Sequence, residues 1–375
     1  MKVALVRSKF NYFGGAEKFV QRALDALLKI KVTPSLVCQE WIGQSDNIDI
    51  IKVPKAKGWT RVARAKNFAL AVRHELKKHH FDLIQTHERI PGFDIFRAGD
   101  GVHKTWLTIR NQDAGLLKRT WTALDPFHRY QLKQEKELFE HVNLKAVICN
   151  SAMVKTEIVE NFAIQQDKIH VIYNGIDTTK FRPASEQERN LARQTLGLAP
   201  NTPTLIFLGS GFERKGLRYL LAAMGTASDK LHLLVVGGDK HRKSYEQYAA
   251  SLGIQSRVHF LGEKKDPRPY LWAADAMTFP TLYDPCPNAV LEGMACGLGI
   301  VTSPHCGAKE MIDEASGICV SPYDTQGLAN ALNQFVEPHV ARAMGHAARL
   351  ASEKFTLDRM GNELLNLYRL LTNQK

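Results

Sequence analysis

Short unbroken apolar runs alternate along this chain with longer segments in which apolar residues recur every three to four positions. In the first half the runs are KVALVR, TPSLVCQ, IDIIKV, FDLIQTH, FDIFRAG and KAVICNS; in the second they are TLIFLGS, LHLLVVGG, RVHFLGE, DAMTFPT, GIVTSP and GICVSP. A run without polar alternation is buried on both faces, like a strand of a parallel sheet covered by helices. Segments such as AEKFVQRALDALLKI and GLRYLLAAM supply the covering helices. The pattern predicts an α/β chain of two Rossmann-like, doubly wound domains. Open sheets of this kind take ligands at the carboxyl ends of their strands, so two such domains facing one another imply a central cleft. The stretch YNGIDTTKFRPAS, residues 173–185, combines Asn-Gly, a polar run and Arg-Pro, and predicts the hinge. The expected division is residues 1–172, the hinge, residues 186–352, and a helical segment 353–375 that crosses back to the first domain.

At 375 residues the chain is long enough for two cores. Its net charge of +12 favours an anionic partner such as phosphate, nucleic acid or a lipid surface. Nucleic acid is the weakest of these, because no aromatic RNA-binding motif, helix-turn-helix spacing or zinc-ligand pattern accompanies the charge. The six cysteines form no C-x-x-C pair and no scaffold spacing, so buried reduced thiols are expected. The opening MKVALVRSKFNYFGG has too short an apolar run for a signal peptide, and no later window holds eighteen apolar residues in a row. A cytoplasmic protein is the expectation.

Chemistry enters at the strand ends. Gly14 and Gly15 follow the first strand and precede a helix, where glycines let backbone amides approach a phosphate; a tight turn explains them equally well. The spacing is not G-x-G-x-x-G, which argues against a nicotinamide cofactor. In TLIFLGSGFERKGLRYLL, the strand is followed by Gly209, Gly211, Arg214, Lys215 and Gly216. A guanidinium and an ammonium between glycines at a strand's carboxyl end are placed to clamp a diphosphate. Further on, Asp284 and Glu292 flank a Pro-Cys-Pro kink and the start of a small-residue helix near Asn288 and Ala289, whose positive end suits a pyrophosphate.

The region from LVVGG through HFLGEKKDPRPYLWAADAMTFPTLYDPCPNAVLEGMACGLGIVTSPHCGAKEMI resembles the donor-binding region of retaining glycosyltransferases of family four, which have the GT-B architecture. The hallmark of that family is E-x(7)-E, and Asp284 and Glu292 have this spacing, with Asp one methylene shorter in the first position. GSGFERKG, YNGID and the N-terminal double glycine extend the likeness over most of the chain. The resemblance implies that residues 1–172 bind the acceptor and 186–352 a nucleotide sugar. It implies that Glu292 binds the ribose hydroxyls, that Asp284 lies beside the transferred sugar, and that Arg214 and Lys215 stabilise the departing diphosphate where other transferases use a metal.

RIPGFDIFRAGDGVHKTWL, residues 89–107, resembles lipopolysaccharide core glycosyltransferases of the same family. That likeness implies a hexose, glucose first, moved from its UDP derivative onto a heptose of the inner core, with Asp100 beside the reacting sugar and His103 on the acceptor side. Front-face attack is implied, with the leaving diphosphate taking the acceptor's proton. No D-x-D motif is present, and neither a metal nor another cofactor is expected. Downstream, residues 104–129 mix Trp106, Leu107, Ile109, Trp121 and Phe127 with Lys104, Arg110, Lys118, Arg119 and Arg129. This composition suits a peripheral contact with an anionic membrane on its cytoplasmic face, which is the expectation, the alternative being an ordinary amphipathic helix pair packed on the sheet. Two further readings stay open: transfer of another UDP-hexose or UDP-N-acetylhexosamine to a different glycan or lipid, and an epimerase or phosphorylase on the same fold.

Overall fold

The computed structural model describes residues 1–10, 23–24, 27, 32–41, 48–112 and 115–373. Within them the chain divides into two compact units, one of residues 1–175 with 357–375 and one of residues 176–356. Gly14 and Gly15 lie outside the described residues, as does most of the first expected helix.

The first unit is built on strands β1 (Lys2–Val6), β3 (Thr33–Cys38), β5 (Asp49–Lys52), β6 (Leu83–Thr86), β7 (Ile95–Arg97), β8 (Ala146–Cys149) and β9 (Ile169–Val171). They form one parallel sheet in the order β5-β3-β1-β6-β7-β8-β9. Two short strands, β2 (Lys9–Phe10) and β4 (Glu40–Trp41), pair separately. Both faces of the sheet are covered. Val3 and Leu5 of β1 join a core with Met360, Leu364, Leu367, Tyr368 and Leu371 of the helix Leu357–Asn373. Ala4 and Val6 face the other way, onto Phe68, Ala69, Val72 and Leu76 of the helix Arg61–Leu76. Each fully buried leucine of these faces contributes roughly 1.5–3 kcal/mol through the water it leaves.

The second unit holds β10 (Thr204–Leu208), β11 (His232–Val236), β12 (Val258–Gly262), β13 (Ala276–Phe279), β14 (Gly299–Thr302) and β15 (Gly317–Cys319), all parallel, in the order β12-β11-β10-β13-β14-β15. The order reverses at β10/β13 here and at β1/β6 in the first unit. Loops leaving the two strands at such a reversal run to opposite sides of the sheet and open a crevice between them. Of the six cysteines only Cys319 is exposed, and all are free. Burial pushes the Cys306 and Cys296 thiols up to about 12, so they stay protonated.

Candidate active site

In the second unit, the loops after β10 and β13 are sewn together by backbone. Leu282 N–H donates to the Arg214 carbonyl at 2.8 Å, and the Thr281 hydroxyl donates to the same oxygen at 2.9 Å. The approach is close enough that a Cβ on Gly216 would collide with the Pro280 carbonyl, and Gly216 sits at φ +75°. Only glycine meets both demands without strain. Gly209, with φ +149°, leaves the space into which the Lys215 ammonium extends.

Three charged groups from these two loops and one from the helix that follows gather there. Arg214 Nη1 donates to the Tyr283 carbonyl at 2.8 Å and lies 3.3 Å from Asp284 Oδ2. The half-buried Lys215 holds Nζ 5.0 Å from the centre of the Phe279 ring. Burial lowers its pKa, with Arg214 adding to the effect and Asp284 and Glu292 opposing it. Asp284 is fixed through its backbone, its N–H donating to His305 O at 3.0 Å and its carbonyl accepting from Gly307 at 2.8 Å. Glu292 is 1% exposed on the helix Asn288–Ala295. That helix lies tightly on β13, since a Cβ on Gly293 would come within 2.8 Å of Met277 Sδ. Its N-cap, Pro287, has no side-chain oxygen to cap the first turn, so the dipole's positive end gets no competing anion from that position. Cations, a helix N-terminus and a buried carboxylate at one switch point can hold a phosphorylated, hydroxyl-bearing ligand.

The first unit assembles its polar groups differently. Arg7, just after β1, places Nη1 3.5 Å from Asp100 Oδ2 and 3.7 Å from Glu88 Oε1. Glu88 also accepts from Ser8 N–H at 2.9 Å and Ser8 Oγ at 2.8 Å. Arg7, Ser8 and Glu88 were not among the residues expected from sequence. Their signal was position alone, at the ends of the two strands flanking the order reversal. His103 pairs its ring with His128 at 3.1 Å and is pushed down to about 3, by burial first and then by Arg89, His128 and other cations, so it is neutral at pH 7. Next to it, Glu135 of the helix Pro126–Phe139 is 1% exposed and accepts from Arg89, His103 N–H and Lys104 N–H.

Segment 104–129 does not form the single aromatic and basic surface that its composition suggested. Leu107 and Ile109 are buried, and Phe127 lies under the Arg61 guanidinium at 3.8 Å. Arg119 closes the end of the helix His103–Gln112 by donating to the Asn111 and Gln112 carbonyls, both at 2.9 Å. The exposed apolar face is narrower and comes from the helix Leu116–Leu124, where Leu116, Leu117, Trp121 and Leu124 face solvent. Trp59, just before the helix whose Arg61 covers Phe127, is fully exposed as well. The side chain of Lys118 is outside the described set. A depression of about 660 Å³ lined by residues including Arg73, Gln134, Glu137 and His141 contains none of the expected site residues. Among the described residues, no helix is long and apolar enough to cross a membrane.

Residues 13–180 match the family described as Glycosyltransferase Family 4, and residues 202–337 match Glycosyl transferases group 1. The chain is 25% identical over 342 residues to the lipopolysaccharide glucosyltransferase WaaG of Escherichia coli, covering 89% of each protein. It is 29% identical over 270 residues to the alpha-maltose-1-phosphate synthase of Mycolicibacterium smegmatis, covering 67% of this chain and 70% of that one. Its fold superposes on the crystal structure of WaaG with a TM-score of 0.86 at 23% identity, over 98% of this chain and 99% of the other. HepE of Anabaena, solved in complex with UDP and glucose, gives 0.76 at 19% identity over 98% and 99%.

Proposed function

Because the chain belongs to the GT-B glycosyltransferases, with a family four domain followed by a group 1 domain, we propose that it transfers glucose from UDP-glucose, with retention, to a heptose of the lipopolysaccharide inner core. The observation that carries this reading is the convergence of Arg214, Lys215, Asp284 and Glu292 at the β10/β13 switch point. The names of the relatives support the donor and acceptor: WaaG is a lipopolysaccharide glucosyltransferase, and HepE was solved with UDP and glucose.

In this mechanism Glu292 accepts hydrogen bonds from the ribose hydroxyls, and the N-terminus of its helix faces the diphosphate. Asp284 is turned toward the hexose. The acceptor oxygen attacks the anomeric carbon from the face the leaving group occupies. The bond from that carbon to the diphosphate oxygen breaks, and the acceptor's proton passes to the diphosphate. Arg214 and Lys215 stabilise the charge that builds on the departing UDP, the task that falls to a metal in other transferases. Asp100 stabilises the positive charge developing at the anomeric carbon, and His103 binds acceptor as a neutral ring. The enzyme works from the cytoplasmic side at an anionic membrane, which it meets through the apolar face of the helix Leu116–Leu124 and through Trp59, with Lys104 and Arg129 nearby in sequence.

A thermal-shift screen of UDP- and GDP-sugars, followed by transfer to isolated heptose-terminated core in the presence of EDTA, tests this reading. UDP-glucose is expected to stabilise the protein most, and the product is expected to keep the donor's anomeric configuration without added metal. A preference for GDP-sugars, an inverted product, or activity lost to EDTA and restored by magnesium would each overturn the corresponding part.

A further inference from the structure

The turn that carries Asp100 is held from two sides. On one, Asn150 at the end of β8 donates from Nδ2 to the Gly99 carbonyl at 3.2 Å. On the other, Arg89 donates from Nη2 to the Gly101 carbonyl at 2.8 Å, and from Nε to Glu135 Oε1 at 3.0 Å. Glu135 is buried, and its two oxygens also receive His103 N–H at 2.7 Å and Lys104 N–H at 3.1 Å. Val102, which precedes the helix His103–Gln112, has no side-chain acceptor, so Glu135 caps that helix from another element.

A cap alone needs only the two amides. The third donor, Arg89, reaches past the cap to the residue following Asp100. Gly101 has φ +70° and closes the turn with its N–H on the Ala98 carbonyl at 3.2 Å, so moving its carbonyl moves Asp100. The Asp100 carboxylate itself is about half exposed, and its contact to Arg7 is long, at 3.5 Å. The backbone that carries it is fixed on both sides, by Asn150 at the Gly99 carbonyl and by Arg89 at the Gly101 carbonyl. We propose that Glu135, acting through Arg89, is a positioning residue that sets Asp100 for sugar transfer. This rests on the reading of Asp100 as the carboxylate beside the reacting sugar. A misplacement of about 1 Å at such a group can cost roughly a hundredfold in rate.

The test uses the full chain and the variants Glu135→Gln, Arg89→Gln and Asp100→Asn, alone and combined. It measures kcat and acceptor KM for transfer from UDP-glucose to heptose-terminated core, UDP affinity, and melting temperature. Glu135→Gln and Arg89→Gln are each expected to lower kcat tenfold or more, with acceptor KM and UDP affinity changed less than threefold. Combined with each other, or with Asp100→Asn, they should lose no more than the worse single variant, because all act through one group. Multiplying losses would show independent structural defects and overturn the proposal, as would a Glu135→Gln enzyme with parental kcat beside an impaired Asp100→Asn. If Glu135→Gln does not fold, Arg89→Gln, which leaves the helix capped, decides the question alone. Parental turnover in Asp100→Asn would instead overturn the role given to Asp100.

Discussion

The two units, the second proposed to hold the donor and the first the acceptor, are built on sheets of the same winding, yet they recruit their polar residues in opposite ways. In the second unit, two loops at one order reversal and the helix that follows the second of them supply Arg214, Lys215, Asp284 and Glu292, and the Arg214 carbonyl joins those loops by accepting from the Thr281 hydroxyl and the Leu282 N–H. In the first unit, Arg7, Glu88, Asp100 and Asn150 come singly from the ends of β1, β6, β7 and β8, and Glu135 comes from a helix. A diphosphate with a ribose presents its charges and hydroxyls close together along one short chain, and two loops with the adjoining helix can match it. A site assembled from single residues on separate elements can change one contact at a time while its scaffold stays intact.

That contrast breaks if changes on the acceptor side disturb donor binding. Asp100→Asn should give the largest effect, a fall in transfer of roughly 10²–10³-fold with UDP affinity unchanged by calorimetry. An equal loss of UDP binding would make Asp100 structural. On the donor side, Arg214→Ala and Lys215→Ala should each lower kcat by roughly tenfold or more, and Glu292→Ala should weaken UDP and UDP-sugar alike. A fully active double alanine variant would remove the diphosphate clamp, and unchanged UDP affinity in Glu292→Ala would remove the ribose contact.

Trp121→Ser with Leu117→Ser should reduce sedimentation with anionic vesicles several-fold while leaving UDP binding alone, and salt should release the parent protein as screening shortens to below about 10 Å. Binding that ignores lipid charge, or a double variant that sediments like the parent, would leave that helix without a lipid role. The last effect is on stability and concerns pH. His103 is neutral in the folded protein down to about 3, whereas in the unfolded chain it gains a proton near 6.5. The unfolded state then binds more protons between those values, so stability falls as pH drops from about 6.5 toward 3 and levels off below that. His103→Gln should flatten that part of the curve of melting temperature against pH, and an unaltered curve would assign the acid sensitivity elsewhere.

All twelve apolar runs became strands, because a continuous apolar run buried on two faces has few other solutions. The ninth strand of the chain, Ile169–Val171, escaped notice: it is three residues long and its central His170 is only half-buried, so no run stands out. That Arg214, Lys215, Asp284 and Glu292 come together was legible because they lie in two segments with recognisable spacing. Ser8 and Glu88 were not, since 80 residues separate partners that bond at 2.8 Å. Arg89 and Glu135 carried no spacing signal either. In segment 104–129, periodicity identified helices without saying which face the sheet would take, and the same kinds of residue ended up buried at Leu107 and exposed at Leu117. The positive φ of Gly211, +79°, between strand and basic pair was not anticipated from sequence.

The helix Leu357–Asn373 belongs to the first unit, although the whole of Ile176–Thr356 is made before it. At roughly 5–20 residues per second on a ribosome, translating that interval takes on the order of ten to forty seconds. Throughout this time Val3, Leu5 and Leu83 have no Leu364 or Tyr368 to cover them. The nascent first unit therefore has one sheet face incompletely covered, while the unit that starts later has all its parts first. Order of birth and order of completion are reversed. Released chains truncated after residue 356 should show a protease-resistant second unit beside a labile first one, and equal resistance of both would contradict this order.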